Sequence, residues 1–419
     1  MVGMEDAKPG LSKMAALLAV GWALTNIAYA LYDLPLKFVL KDELHLDARQ
    51  VSAFFAIGVF TNYIKPLAGV LIDSVPLFGT RRRGYLLASL TLCGIGFLVL
   101  GLVPRSYWPL LVTFALMYAM VMVISTTLGG VMVEAAQKFH AAGRLTAQRI
   151  AMFRVGVLAG GPLGGWLATL PLIVPLGLSA ALHFVLVPVF WTHLKEPGGA
   201  TVSRQAWKTA KAQFRTLVES KIVLWAALMI FLIAASPGFG TPLFFYQTNV
   251  LKLSKPFLGM LALVSAAFGL LAATLYHKAC QRGDMRKLLI ASVVVHGLGT
   301  LFYLFYHDRT SALIVTALEG VTQTLAILPV YDLAARGTPK GCEALGYSIM
   351  MSVWNLTNSL SDWTGSTLAT NFHWSFANLV WLNAGTTLLV LLVVPLVPRA
   401  LVLQKDAVRE SGTPGGTPR

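Results

Sequence analysis

Charged side chains are scarce in this chain. Asp, Glu, Lys and Arg make up 12% of its 419 residues, too few to cover the surface of a soluble domain of ordinary composition. Cysteine is nearly missing too. Cys93, Cys280 and Cys342 stand at spacings that give neither a disulfide framework nor a metal site. There is no Gly-x-x-x-x-Gly-Lys-Ser/Thr phosphate loop, which argues against ATP-driven pumping, and no Gly-x-Ser-x-Gly or His-Glu-x-x-His motif. No enzymatic activity, cofactor or metal is expected. Thirteen residues precede the first apolar run, too few for a transit peptide, and no small-residue cleavage site follows it. The first helix is therefore expected to be retained.

What the chain has is apolar length. Hydrophobic residues make up 56% of it, and a spanning helix needs roughly 20 of them in succession. Twelve candidate spans begin near residues 14, 51, 84, 108, 150, 172, 223, 257, 288, 311, 344 and 375. The expectation is an all-α integral membrane protein of twelve transmembrane helices. The polar segment from His193 to Lys221 carries Lys195, Arg204, Lys208, Lys211, Arg215 and Lys221 and divides six spans from six. Residues 1–192 then form one six-helix half, 193–222 a cytoplasmic linker with an amphipathic helix near Arg204 to Leu217, and 223–398 the other half. Residues 399–419, ending in SGTPGGTPR, read as a disordered cytoplasmic tail.

Orientation follows from basic residues, which short cytoplasmic loops retain. With the N-terminus inside, 25 of the 33 Lys and Arg fall in cytoplasmic segments and 7 in outer loops, while Lys65 lies within the second span. Both termini are thus expected in the cytoplasm of a cell bounded by the plasma membrane, or the inner membrane of a bacterium. The formal charge of +15 is mainly this topology signal, with a weak attraction to anionic lipid, and gives little reason to propose nucleic-acid binding.

An ionised group near the bilayer centre is costly, so polar side chains inside spans line cavities or pair with one another. Three stripes recur at i, i+3, i+7, the spacing that places side chains on one helix face. They are Asn26, Tyr29 and Asp33; Thr316, Glu319 and Gln323; and Asn355, Asn358 and Asp362, with Trp354 and Ser361 beside the last. Amides next to an indole suit a flat heterocycle. Glu319 can cycle protons or simply bond to a neighbouring helix. Asp33 is a second candidate for proton coupling, or it pairs with Lys37. Glu134, Arg149 and Arg154 bracket the loop after the fourth span. There one of the arginines could neutralise Glu134, and Arg154 is the best partner for a substrate carboxylate. His183 and His296 read as packing residues, and Lys65 as near enough to the headgroups to snorkel. Gly156 to Trp166, GVLAGGPLGGW, is close to the glycine-proline motif of drug-proton antiporters with its spacing one residue off; four-residue glycine spacing for close helix approach is the simpler explanation.

The segment from Lys65 to Tyr85, KPLAGVLIDSVPLFGTRRRGY, joins two apolar runs. Asp73 ends the first run, Pro76 and Gly79 break the helix, and Arg81, Arg82 and Arg83 follow at headgroup level. This pattern resembles the loop between the second and third helices of the major facilitator superfamily. Its stretched form is similar to the folate-biopterin transporter branch. SPGFGTPLFFYQTNVLKLSKPFLG, Ser236 to Gly259, is similar to that branch's seventh helix and the following loop. GTPKGCEALGYSIMMSVWNLTNSLSDWTGS, Gly337 to Ser366, resembles its Cys-Pro-x-Gly-x-Glu loop and next helix, with Thr338 where the Cys would be. The resemblance implies a major facilitator fold and an ion-driven carrier of pteridines, folates or related conjugates. In the fourth helix relatives commonly show two aspartates where this chain has Ser125 and Gly129, leaving Glu134.

Function is accordingly expected to be secondary transport of a small-molecule substrate through the lipid bilayer, coupled to protons, by a monomer. The alternatives are a carrier of another organic solute, including drug efflux, and a non-transporting receptor or scaffold. The expected substrate contacts are Asn26, Tyr29, Asp33, Arg154, Gln323, Trp354, Asn355, Asn358 and Asp362, in one shared cavity with Glu319. The expected inner gate is Lys65, Asp73, Arg81, Arg82, Arg83, Glu134 and Arg149.

Overall fold

The computed structural model describes residues 7–398, apart from 140, 281–284, 337 and 339–341. The expected tail at 399–419 and the side chain of Cys280 lie outside the described residues. Cys93 and Cys342 are buried free thiols.

The first bundle opens with α1 (Ala7–Phe38), continued by a π turn at Val39–Glu43. α2 (Ala48–Gly58) and α3 (Lys65–Ser74) are separated by a 3-10 turn at Phe60–Tyr63. α4 (Arg83–Leu102), α5 (Tyr107–Lys138), α6 (Ala142–Leu167) and α7 (Ile173–His193) complete it. α8 (Arg204–Glu219) lies in the linker. The second bundle begins with α9 (Lys221–Ala234), a break, and α10 (Gly240–Phe245) running into a π turn at Tyr246–Val250. It continues with α11 (Lys255–Cys280), α12 (Met285–Thr300), α13 (Arg309–Arg336), α14 (Glu343–Asn371) and α15 (Phe376–Leu389).

Among the described residues nine helices are long and apolar enough to cross a membrane. The other three of the expected twelve positions hold α2 with α3, α9 with α10, and α14, so the arrangement fits twelve spans. The first two fail the length criterion because they are broken, and α14 is too polar. Local chemistry explains several boundaries. Asp47 and Gln50 form a reciprocal capping box that starts α2, with Gln50 N–H 2.8 Å from Asp47 Oδ1 and Asp47 N–H 3.0 Å from Gln50 Oε1. The turn between α3 and α4 is tightened by Phe78 and Gly79, both at positive φ, and by the Leu77–Thr80 bridge.

Within the first bundle α1 packs on α6 and α7, and α4 on α5 and α7. Within the second, α13 packs on α11 and α12, α12 on α15, and α14 on α9. The bundles meet along two seams, α6 with α11 and α2 with α14. They also share an apolar cluster at the face opposite the chain ends, where Phe38 stands 5.1 Å edge-on to Phe244 and Lys255 lies 4.5 Å over the Phe38 ring. We refer to that face as the loop face, and to the one bearing the α3–α4 turn and α8 as the tail face.

Lipid offers no hydrophobic drive for helices to associate, so close van der Waals approach carries these seams. The glycine run of α6 works on two sides: Gly156, Gly160 and Gly164 face Asn26 and Ala30 of α1, while Gly161 and Gly165 face α11. At Gly165 the approach is to backbone, and a Cβ there would sit 2.7 Å from Gly259 Cα. Gly165→Val is therefore expected to cost about 1–3 kcal/mol through overpacking. A thermal unfolding curve in detergent should shift down by several degrees; an unchanged midpoint would show that the seam yields without cost.

Candidate functional site

The site is built around the break between α9 and α10. Pro237, Gly238, Gly240 and Pro242 make a continuous helix unfavourable there, which leaves backbone polar groups without helical partners. α14 and α15 supply the partners. Gly238 N–H donates to Ser361 O at 2.9 Å, and the Ser361 hydroxyl donates to Ser236 O at 2.5 Å. Asn383 Nδ2 donates to Pro237 O at 3.0 Å. Asp362 caps the restarted helix, accepting Thr241 N–H at 2.8 Å and the Thr241 hydroxyl at 2.6 Å. A carboxylate at a helix N-terminus also meets the positive end of the backbone dipole.

Beside the break is a cavity of about 490 Å³, within the size range of small-molecule sites. Of the expected site residues, Glu319, Gln323, Trp354, Asn358 and Asp362 line it. Asn358 spends its amide N–H on Trp354 O at 2.8 Å, leaving its carbonyl for another partner. Phe239, His296, Tyr303 and Asn383 also face the cavity. His296 thus lines a cavity, whereas His183 fits the packing reading, with Nδ1 2.8 Å from Ser179 O and its ring 5.2 Å from Phe97. Tyr303 meets Phe239 edge-on at 5.0 Å and stacks on Tyr306 at 5.7 Å.

Glu319 accepts a hydrogen bond from the Ser265 hydroxyl of α11 at 2.9 Å. Arg154, from the first bundle, reaches across the seam to Thr324 of α13, 3.2 Å away, and is within electrostatic range of Glu319. Its route passes over Gly269 of α11, where a Cβ would stand 3.1 Å from the guanidinium and 2.7 Å from the Thr324 hydroxyl. One carboxylate of the second bundle thus has a cation of the first nearby.

Asn26, Tyr29, Asp33, Asn355 and Arg154 are not among the residues lining that cavity. Asn26 donates to Trp22 O on its own helix at 2.6 Å. Asp33 pairs with Lys37 at 2.8 Å, and Tyr29 and Tyr118 lie within electrostatic range of it. Lys37 is in turn within electrostatic range of Asp362. The α1 stripe therefore couples to the cavity wall through an ion pair rather than by lining it.

On the tail face Arg82 joins two carboxylates, Asp73 at 3.0 Å and Glu134 at 2.7 Å. The neutraliser of Glu134 is thus Arg82 and not Arg149 or Arg154, because the α3–α4 turn folds Arg82 back over the end of α5. Arg83 lies 4.7 Å over the Trp191 ring and donates to its carbonyl at 2.8 Å, while Arg81 is exposed. Glu196, which sequence reasoning missed, accepts the backbone N–H groups of all three arginines at 2.8 to 3.3 Å. All these residues belong to the first bundle or the linker. Lys65 does not snorkel outward; its Nζ donates to the Ser125 hydroxyl at 2.9 Å.

The family model for the BT1 family matches residues 26–414. The chain belongs to the BT1 family. Among curated BT1-like relatives, the folate-biopterin transporter of Synechocystis sp. is 30% identical over 91% of this chain and 81% of its own length. Folate transporter 1 of Plasmodium falciparum is 23% identical over 83% of this chain and 71% of its own. Solved structures confirm the fold alone. A POT family transporter in complex with a thioalcohol-conjugated peptide superposes with a TM-score of 0.73 at 12% identity, covering 92% of this chain and 96% of that one. The inward open xylose transporter XylE from E. coli gives 0.65 at 13% identity, covering 92% and 95%. This BT1 chain is a multi-pass membrane transporter of the major facilitator fold, not an enzyme.

Asp73→Asn leaves Arg82 with Glu134, so the α3–α4 turn should persist and uptake should slow several-fold at normal membrane levels. Arg82→Gln removes both contacts and should slow it more. Initial uptake rates normalised to protein in the membrane check the order; equal rates in wild type and Arg82→Gln would leave this cluster with topology alone to explain it.

Proposed function

We propose that the chain is a secondary active transporter that moves a folate, pterin or related small organic solute by alternating access, with a proton as coupling ion. The observation that carries this reading is the cavity beside the broken α9–α10 span. There Phe239, Tyr303 and Trp354 offer faces for a flat ring, and Gln323 and Asn358 offer amides to its edge. The names of the BT1-family relatives from Synechocystis and Plasmodium support the substrate class. Irregular backbone at membrane depth is tolerated where it lines a cavity, as in transporters whose halves rock about a central site.

Residues 1–192 and 223–398 act as the two halves, with 193–222 as the linker. Asn26, Tyr29, Asp33 and Asn355 join Gln323, Trp354, Asn358 and Asp362 around the substrate as the halves move, and Arg154 offers it a guanidinium. Lys65, Asp73, Arg81, Arg82, Arg83, Glu134 and Arg149 form the gate on the tail face. The distribution of basic residues supports placing that face and both termini in the cytoplasm; the membrane is the plasma membrane, or the inner membrane of a bacterium. The protein works as a monomer.

Glu319 is the main proton-coupling carboxylate and Asp33 the second. Glu319 stands on the cavity wall with a neutral hydroxyl partner on one side and Arg154 within range on the other. A group so placed responds to a change in either neighbour as the halves move. In proteoliposomes screened with folates and pterins, Glu319→Gln should abolish accumulation driven by a pH gradient yet keep counterflow exchange, which moves no net proton. Accumulation persisting in that variant would make Glu319 a structural hydrogen-bonding residue.

A further inference from the structure

We propose that α8 is a lipid-docking helix: its exposed apolar flank enters the headgroup layer of the leaflet on the tail face, and its basic stripe binds the phosphates of anionic phospholipid there. The inference concerns the linker and holds whatever the cargo is. α8 packs through Ala206, Ala210, Gln213 and Leu217, its least exposed positions, and Leu217 is buried in the core of the second bundle. Trp207, Phe214 and Val218 form a flank about 90° round the helix from that packed face. They are 48%, 54% and 51% exposed. Arg204, Lys208 and Lys211 lie farther round in the same direction, about 160° from the packed face. All three are exposed and, among the described residues, form no ion pair. Arg215, on the same stripe, pairs with Glu219 at 2.8 Å.

Direction decides what can cover the apolar flank. α8 is bent by 73° from α9, which belongs to a broken span, so it runs nearly along the membrane plane. With its packed face toward the bundles, the flank looks sideways, where lipid surrounds the protein, and the basic stripe looks away from them. A soluble partner arriving from the aqueous side would meet the lysines before the aromatic rings. Trp and Phe on one flank with Lys and Arg beside them is the arrangement by which a helix lies in a bilayer interface. The rings enter the boundary with the acyl chains, and the long cationic side chains reach back to the phosphates. The α3–α4 turn extends the patch. Phe78 is 81% exposed there, two residues from Gly79 on one side of Arg81, and Ala200 N–H ties the linker to the turn through Gly79 O at 3.0 Å. Apolar surface gathered in this way beside cations marks a membrane contact.

The test places single cysteines in the full-length protein in lipid nanodiscs and measures their reaction with a water-soluble polyethylene-glycol maleimide. The parent protein gives the background, and rates are normalised to the chain unfolded in dodecyl sulfate. In discs of phosphatidylcholine with about one-third phosphatidylglycerol, the Phe214→Cys variant should react at least ten-fold more slowly than Thr209→Cys, whose position is exposed on the opposite flank. Val218→Cys should behave like Phe214→Cys. Reversing the stripe with Lys208→Glu and Lys211→Glu should speed the Phe214→Cys reaction at least three-fold, as should discs of phosphatidylcholine alone. Equal rates on the two flanks in anionic discs would overturn the docking and leave the apolar flank to a soluble partner. Protection that survives both charge reversal and neutral lipid would overturn the binding of phosphates.

Discussion

A bilayer core offers backbone amides and carbonyls no water, so every break in a spanning helix must find its hydrogen bonds inside the protein. That constraint organises the second bundle. The break at residues 235–239 is satisfied by Ser361, Asp362 and Asn383, which requires α14 and α15 to turn polar side chains inward at one depth. The cavity follows from it, because a kinked chain cannot fill the space a straight helix would fill. The polar character of α14 is thus a structural necessity as well as a chemical opportunity: Asp362 cannot be lost without freeing the start of α10.

The architecture was legible in the sequence to the extent that it depends on run length and charge. Apolar runs marked the spans, and the basic segment between His193 and Lys221 marked the helix at Arg204–Glu219. The i, i+3, i+7 stripes found Glu319, Gln323, Asn358 and Asp362, since a helix face that is polar inside a membrane has few places to point. The same pattern picked out Asn26, which lies away from the cavity with its amide bonded to its own helix, a local bond that spacing cannot foresee. His296 and Tyr303 were missed because each is a lone polar group in an apolar run, and only the tertiary fold brings them to the break. Glu196 was missed because its partners are backbone groups more than 110 residues away.

The distribution of charge across the seam separates two kinds of interaction. The arginine cluster of the α3–α4 turn ties neighbouring parts of one bundle and the linker together, with Asp73 and Glu134 exposed enough for solvent to screen them. Arg154 and Lys37 instead project toward the other bundle, each within range of a carboxylate there. A charge within range of a carboxylate across a seam changes its surroundings whenever the seam shifts. Under the proposed proton coupling, such pairs are better placed than the denser cluster at the surface to feel the relative position of the bundles.

The attachment of the linker sets a mechanical limit. Its start is hydrogen-bonded to the first bundle, Ala200 N–H to Gly79 O at 3.0 Å and Ser203 N–H to Ser74 O at 2.8 Å. Its far end is anchored in the second, where Leu217 is buried in that bundle's apolar core. Between these anchors α8 is a straight strut of roughly 24 Å, bent by 73° where it meets α9. A strut held at both ends permits swivelling and forbids parting. On this face α8 spans from one bundle to the other, so any change in the angle between them has to be taken up at its two ends.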